Sequence, residues 1–204
     1  MSEQILRTYQ SRRNSVSLVQ TEGERFVRKT FSEEEALQKE LQMYNLLQDK
    51  NLPCAKVLGS DKKTLLLSEL PGRNLVECLE EQEQTGVPVW DIWEKLAAWL
   101  IAFHRYTGFV MTDVNLRNFL YDEGTKTLYG LDFEECAESS PELPAAAVAA
   151  FIRTYKPEHT PLKQEIAGFV LNLFAEYCEK KVDQLLPLSV EQEQRIITRR
   201  KNRI

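Results

Sequence analysis

Residues 108–122 read Gly-Phe-Val-Met-Thr-Asp-Val-Asn-Leu-Arg-Asn-Phe-Leu-Tyr-Asp, and past a turn the chain continues from Leu128 to Glu134 as Leu-Tyr-Gly-Leu-Asp-Phe-Glu. Asp113 precedes Asn118 closely enough for one tight loop, with the carboxylate facing one way and the amide oxygen another. Asp132 follows an apolar strand, Thr127 to Leu131, and a hairpin through Asp122-Glu123-Gly124-Thr125 is expected to return it beside Asn118. A carboxylate and an amide oxygen are hard ligands suited to Mg2+, whose other positions would be taken by phosphates and water. Phosphoryl transfer also needs a carboxylate beside the attacking hydroxyl, and in such a loop Asp113 would face that acceptor.

Upstream, Asn14 to Val19 and Phe26 to Phe31 alternate apolar and polar around the turn Thr21-Glu22-Gly23-Glu24, the pattern of a hairpin with Lys29 near its end. Ser32, followed by Glu33, Glu34 and Glu35, reads as a helix cap with acids in the first turn. Leu37, Leu41, Tyr44 and Leu47 then predict a helix over 33–49. Two short apolar segments, Ala55 to Leu58 and Thr64 to Ser68, suggest a second hairpin. Glu69-Leu70-Pro71-Gly72 breaks the pattern and marks a boundary.

Downstream, the spacing predicts helices over 74–84 and 90–106, an alanine-rich helix over 144–154, one over 161–181, and a last basic helix opened by Pro187 and Ser189-Val190-Glu191-Gln192. Strands with one helix, a break, and then mostly helices make an α+β chain of two lobes, residues 1–70 and 71–204. His104 lies on an apolar helix face and reads as a packed side chain, as do Trp93 and Trp99; Trp90 is read as core or as the wall of an acceptor pocket.

With 204 residues, 43% hydrophobic and 28% charged, the chain can bury a full core. Its first residues lack the apolar stretch of a signal peptide, and no apolar run reaches the ~20 residues needed to cross a bilayer, so a soluble, cytoplasmic protein without membrane contact is expected. Cys54, Cys78, Cys136 and Cys178 are too scattered for a zinc or redox motif and are expected to stay reduced. The net charge is −5, yet residues 195–204 carry Arg195, Arg199, Arg200, Lys201 and Arg203 and no acid. Such a basic end reads either as a solvated helix terminus or as an RNA contact.

The runs Thr112-Asp-Val-Asn-Leu-Arg-Asn118 and Leu131-Asp-Phe-Glu134 resemble the catalytic and metal-binding motifs of the protein-kinase-like superfamily, and are most similar to its small-molecule branch, the aminoglycoside phosphotransferases and choline kinases. The resemblance covers about residues 10–155. It implies a small antiparallel-sheet N-terminal lobe with one helix, a mainly helical C-terminal lobe, and an ATP- and Mg2+-dependent transfer of the γ-phosphoryl group to the hydroxyl of an acceptor, small molecule or macromolecule, that the sequence does not identify. Under it Lys29, held by Glu40, grips the nucleotide phosphates, Ser15 belongs to the phosphate loop, Glu69 and Leu70 to the nucleotide-binding hinge, Asn118 and Asp132 hold Mg2+, and Asp113 is catalytic.

Three departures accompany the resemblance. The loop Ser11-Arg12-Arg13-Asn14-Ser15 lacks the glycines that many relatives carry, Met111 stands where relatives have histidine, and after Glu134 there is no long activation segment. The first two keep open a kinase-shaped nucleotide-binding or scaffold protein without turnover. A looser similarity to the small kinase-like ATPase of the tRNA threonylcarbamoyladenosine pathway rests on chain length and the basic end.

Overall fold

In the computed structural model, which describes residues 3–9, 11 and 13–201, the chain divides into two units. One comprises Met1–Pro71 with Tyr129–Glu134, the other Gly72–Leu128 with Glu135–Ile204. Among the described residues no helix is long and apolar enough to cross a membrane.

The first unit is built on an antiparallel sheet of β1 (Gln4–Tyr9), β2 (Ser15–Thr21), β3 (Glu24–Thr30), β4 (Val57–Ser60) and β5 (Thr64–Ser68), in the order β1-β2-β3-β5-β4. Glu22 and Gly23 both take positive φ, 52° and 87°, and Thr21 pairs with Glu24. A two-residue turn of that kind matches the twist of the strands it joins, which fixes the β2–β3 register. Helix α1 (Glu34–Asp49) buries Leu37, Glu40, Met43, Tyr44 and Leu47. Residues 129–134 join this unit through a Gly130 N–H donated to the Pro53 carbonyl at 3.2 Å and through Phe133, 1% exposed, edge-on to Tyr44 at 4.8 Å.

One expectation needs correction here. Ser32 does not cap α1: Glu33 holds the N-cap position and makes no side-chain cap bond. Strand β1 was not visible in the sequence because, as an edge strand, it is exposed along most of its length and has no buried face to impose alternation.

The second unit begins with β6 (Arg73–Asn74), α2 (Leu75–Thr85), α3 (Trp90–Thr107) and β7 (Phe109–Met111). After a 3₁₀ turn at Leu116–Asn118 come β8 (Phe119–Asp122) and β9 (Thr127–Gly130), whose last two residues belong to the first unit, then β10 (Cys136–Glu138), α4 (Glu142–Thr154), α5 (Pro161–Tyr177), a 3₁₀ turn at Val182–Gln184, and α6 (Leu186–Lys201). Asn74 caps α2 by accepting from the Val76 and Glu77 N–H groups, worth about 1 kcal/mol. Gly72, at φ 104°, lets β6 lie against β8: a Cβ there would meet the Tyr121 carbonyl oxygen at 2.5 Å. Buried Gln82 fixes the α2–α3 connection, accepting from the Val89 N–H and the Trp93 indole, both at 2.9 Å.

Helix α5 stops four residues short of the expected end, because Glu179 turns left-handed (φ 53°) and the Lys180 N–H returns to the Ala175 carbonyl. Its buried face takes in Leu162, Lys163, Ile166, Ala167, Val170, Leu171, Phe174 and Ala175. Helix α6 opens at Leu186, so Ser189 lies within it, fully buried, and accepts from Arg153 at 3.0 Å instead of capping. Strands β7 and β10, which no sequence pattern announced, pair Met111 with Cys136.

Candidate functional site

Strand β3 lies between β2 and β5, and its alternation turns Lys29 and Phe31 to one face, the Lys29 ammonium sitting 4.9 Å from the Phe31 ring centroid. A buried ammonium must be paired. Lys29 is 6% exposed, and its Nζ lies 2.5 Å from Glu40 Oε2 and 2.7 Å from Asp132 Oδ1. Of the four glutamates of the α1 region, Glu40 is the one that reaches it, because it shares the buried face of Met43, Tyr44 and Leu47. Asp132 takes a left-handed backbone conformation, φ 62°, that aspartate tolerates better than most residues. It follows a strand and precedes the buried Phe133, so the backbone is held there while the carboxylate remains about half exposed.

Glu134 completes the group. Its Oε2 accepts from Asn14 Nδ2 at 2.6 Å and lies 3.7 Å from Lys29, and its Oε1 is 4.0 Å from Arg13. Asn14 also accepts from the Ser32 N–H at 3.4 Å, so the loop before β2 is tied to two further segments of this unit. Sequence reading quoted Glu134 within its motif but gave it no role; its place one residue after the buried Phe133 was the available signal. Arg12 of that loop lies outside the described residues. Ser15 opens β2 opposite Thr30 and is exposed; Glu69 pairs with Arg25 at 2.6 Å, and Leu70 is half-buried near the end of the unit's first segment.

Carboxylate oxygens of Glu40, Asp132 and Glu134 lie within 4.8 Å of one another, and buried Glu40 Oε1 has no hydrogen-bond partner. An all-oxygen set with one half-exposed carboxylate fits a hard divalent cation at Asp132, whereas Glu40 Oε2 is occupied by Lys29. Burial works against the Lys29 ammonium, but the carboxylates of Glu40 and Asp132 outweigh it and hold its pKa above the ordinary value. Desolvation pushes Glu40 up from 4.5 to about 7, against the pull of Lys29. The folded chain therefore holds that proton to higher pH than the unfolded chain, and stability contributed by Glu40 is lost as pH rises from 4.5 to about 7. Urea midpoints measured across this window should decline in the parent and stay level in Glu40→Gln; parallel curves for the two would contradict the assignment.

In the second unit, Asp113 lies between β7 and the 3₁₀ turn that carries Asn118. The Asn115 side chain accepts from the Arg117 N–H at 3.0 Å, and the Asn118 N–H returns to the Asn115 carbonyl at 2.8 Å. Met111 is 1% exposed and strand-paired, and Thr112 donates its N–H and hydroxyl to the Glu135 carbonyl at 2.9 and 3.1 Å. The entrance to the loop is thus braced by a backbone ladder and by Thr112, with no imidazole required. Arg199 of α6 places Nη1 3.4 Å from Asp113 Oδ1, a contact no sequence spacing could reveal. His104 is packed, its Nδ1 3.1 Å from the Tyr177 hydroxyl, and Trp90 rests against Phe169 with ring centroids 4.9 Å apart.

No family model matches the chain, and no curated protein matches it. Among solved structures it is similar to the kinase PK-1 of Cydia pomonella granulovirus, with a TM-score of 0.55 and 20% identity over 67% of this chain. The match spans 55% of the viral chain, so this protein corresponds to little more than half of it. Likeness at that identity is one of fold: an antiparallel-sheet N-terminal region and a helical C-terminal region in a kinase-like arrangement.

Proposed function

We propose that the chain is an ATP- and Mg2+-dependent phosphotransferase of the small-molecule kinase-like type, acting on a hydroxyl acceptor. The observation that carries this reading is the buried Lys29, held by Glu40 and bonded to the half-exposed carboxylate of Asp132. Residues 1–70 serve as the nucleotide lobe and 71–204 as the helical catalytic lobe. Lys29 grips the phosphates, and Glu40 keeps its ammonium aimed; Ser15 lies in the phosphate loop, and Glu69 and Leu70 at the hinge. Asp132 contributes the metal carboxylate, Asn118 the amide oxygen, and Asp113 orients the acceptor hydroxyl and takes its proton. Bound Mg2+ would neutralise charge on the phosphate oxygens.

Thermal unfolding with increasing ATP tests this directly. At about 100 times the dissociation constant the nucleotide should stabilise the fold by about 2.7 kcal/mol, in a Mg2+-dependent manner. Absence of any shift with Mg2+ and ATP would overturn the proposal. A second reading, nucleotide binding without turnover, is favoured by the Asn14–Glu134 bond, which already engages a loop that lacks glycine. A full thermal shift with neither transfer nor hydrolysis would support that reading instead.

A further inference from the structure

Helix α6 is seated on the second unit from both ends. Arg153, itself mostly buried, donates to Ser189 Oγ at 3.0 Å and to Glu193 Oε1 at 3.2 Å, while Arg200 donates to the Thr154 carbonyl at the end of α4. Arg199, the neighbour of that second anchor, is thereby carried on a fixed helix turn to Asp113. The two side chains are about half exposed and meet through a single 3.4 Å contact, the kind of pair worth about 0–1 kcal/mol. A guanidinium has five donors in a planar fork suited to phosphate, and this contact uses one of them. Glu191, Gln194, Arg195 and Thr198 share the exposed face of α6 with Arg199, and Arg195 is paired with Glu191 at 2.6 Å.

We infer that Arg199 is a specificity-determining residue that binds a phosphate group carried by the acceptor close to the hydroxyl presented to Asp113. This rests on Asp113 being the acceptor carboxylate. A hydroxyl approaching Asp113 offers that carboxylate a new partner, and the weakly held Arg199 is released to an anion within one side chain's reach. A neutral or cationic acceptor leaves the guanidinium without an anionic partner, so the second unit discriminates in favour of phosphorylated compounds. The phosphate could belong to a small phosphomonoester or to a nucleic-acid backbone; both present the same oxygens to Arg199.

Isothermal titration with glycerol 3-phosphate and, separately, with a short single-stranded RNA tests the inference and distinguishes the sources. At least one should bind the parent. Arg199→Gln should weaken that binding about tenfold and Arg199→Lys much less, because a charge-assisted contact is removed in the first and kept in the second. Inorganic phosphate, which brings no alcohol hydroxyl to Asp113, should bind Asp113→Asn several-fold more tightly than the parent, since the carboxylate competes for the same guanidinium. Opposite signs at the two positions are not produced by a purely structural ion pair. Binding of glycerol 3-phosphate alone assigns a small acceptor, and binding of RNA alone a polymer. The inference fails if neither probe binds, if Arg199→Gln leaves the affinity unchanged, or if Asp113→Asn weakens the binding of inorganic phosphate. Titration of the same sample with ATP and Mg2+ keeps that failure separate from failure of the phosphotransferase reading.

Discussion

Lys29→Met is expected, above about pH 7 where Glu40 is ionised in the parent, to lower the unfolding free energy by about 3–5 kcal/mol, the usual cost of removing one partner from a buried ion pair. Glu40 is 1% exposed, its Oε2 loses the Lys29 ammonium at 2.5 Å, and its Oε1 already has no partner. The stranded carboxylate must either ionise in an apolar setting or take up a proton, on a buried helix face it shares with Met43 and Tyr44. Asp132 and Glu134 suffer less, since the first is about half exposed and the second keeps Asn14. Adding Glu40→Gln to Lys29→Met removes the stranded charge and should recover a large part of the loss, a coupling of about 2 kcal/mol or more by urea denaturation. Additive losses in the double variant would mean that the two residues stabilise the fold independently. The parent pair need not be a net source of stability for this to hold, because its desolvation offsets much of its attraction. Such a pair is better understood as fixing where the ammonium points.

What could be read in advance follows from how each signal is encoded. The helices α1 to α3 announce themselves because burial on one side forces apolar residues to recur at helical spacing, and the β2–β3 hairpin because Gly23 is needed at φ 87°. Glu40 could be chosen over Glu33, Glu34 and Glu35 because it shares the phase of Tyr44 and Leu47, which are buried in the structure. Strand β1 and the β7–β10 pair were hidden for opposite reasons: the first is mostly exposed and has no face to mark, and the second is three residues long on each side, too short for any period to register.

The ends of helices proved less legible than their interiors. Ser189 looks like an N-cap by residue type, yet Arg153, 36 positions earlier, recruits it as an acceptor inside α6. Propensity is a weak preference, and a buried guanidinium needing partners outweighs it. Glu134 and Arg199 share this difficulty: each acquires its meaning from a partner distant in the chain, Asn14 in one case and Asp113 in the other. Composition could say that residues 195–204 were basic, but not that one arginine of that stretch would face a carboxylate of the loop after β7.

Asp132→Ala is expected to weaken Mg2+-dependent nucleotide binding about 100-fold, equivalent to roughly 2.7 kcal/mol, while lowering the stability of the fold by only about 1–2 kcal/mol, the cost of alanine at φ 62°. These two outcomes follow from different features of the same residue. The carboxylate is about half exposed, so truncating it strands no buried charge, and its ion pair with Lys29 is solvent-screened on the Asp132 side. The backbone around it is held by Phe133 against Tyr44 and by the Gly130–Pro53 bond, neither of which the substitution touches. Lys29 keeps Glu40 and stays aimed, so ATP without metal should bind the variant about as well as the parent. With Mg2+ the parent alone should gain affinity, since under the proposed function the Asp132 carboxylate is the hard oxygen that would join cation to protein. Thermal shifts recorded with ATP, with and without Mg2+, give this difference as a missing increment in the variant. An undiminished Mg2+ increment in Asp132→Ala would remove Asp132 from the metal site and leave Asn118, or the carboxylate of Glu134, to account for it.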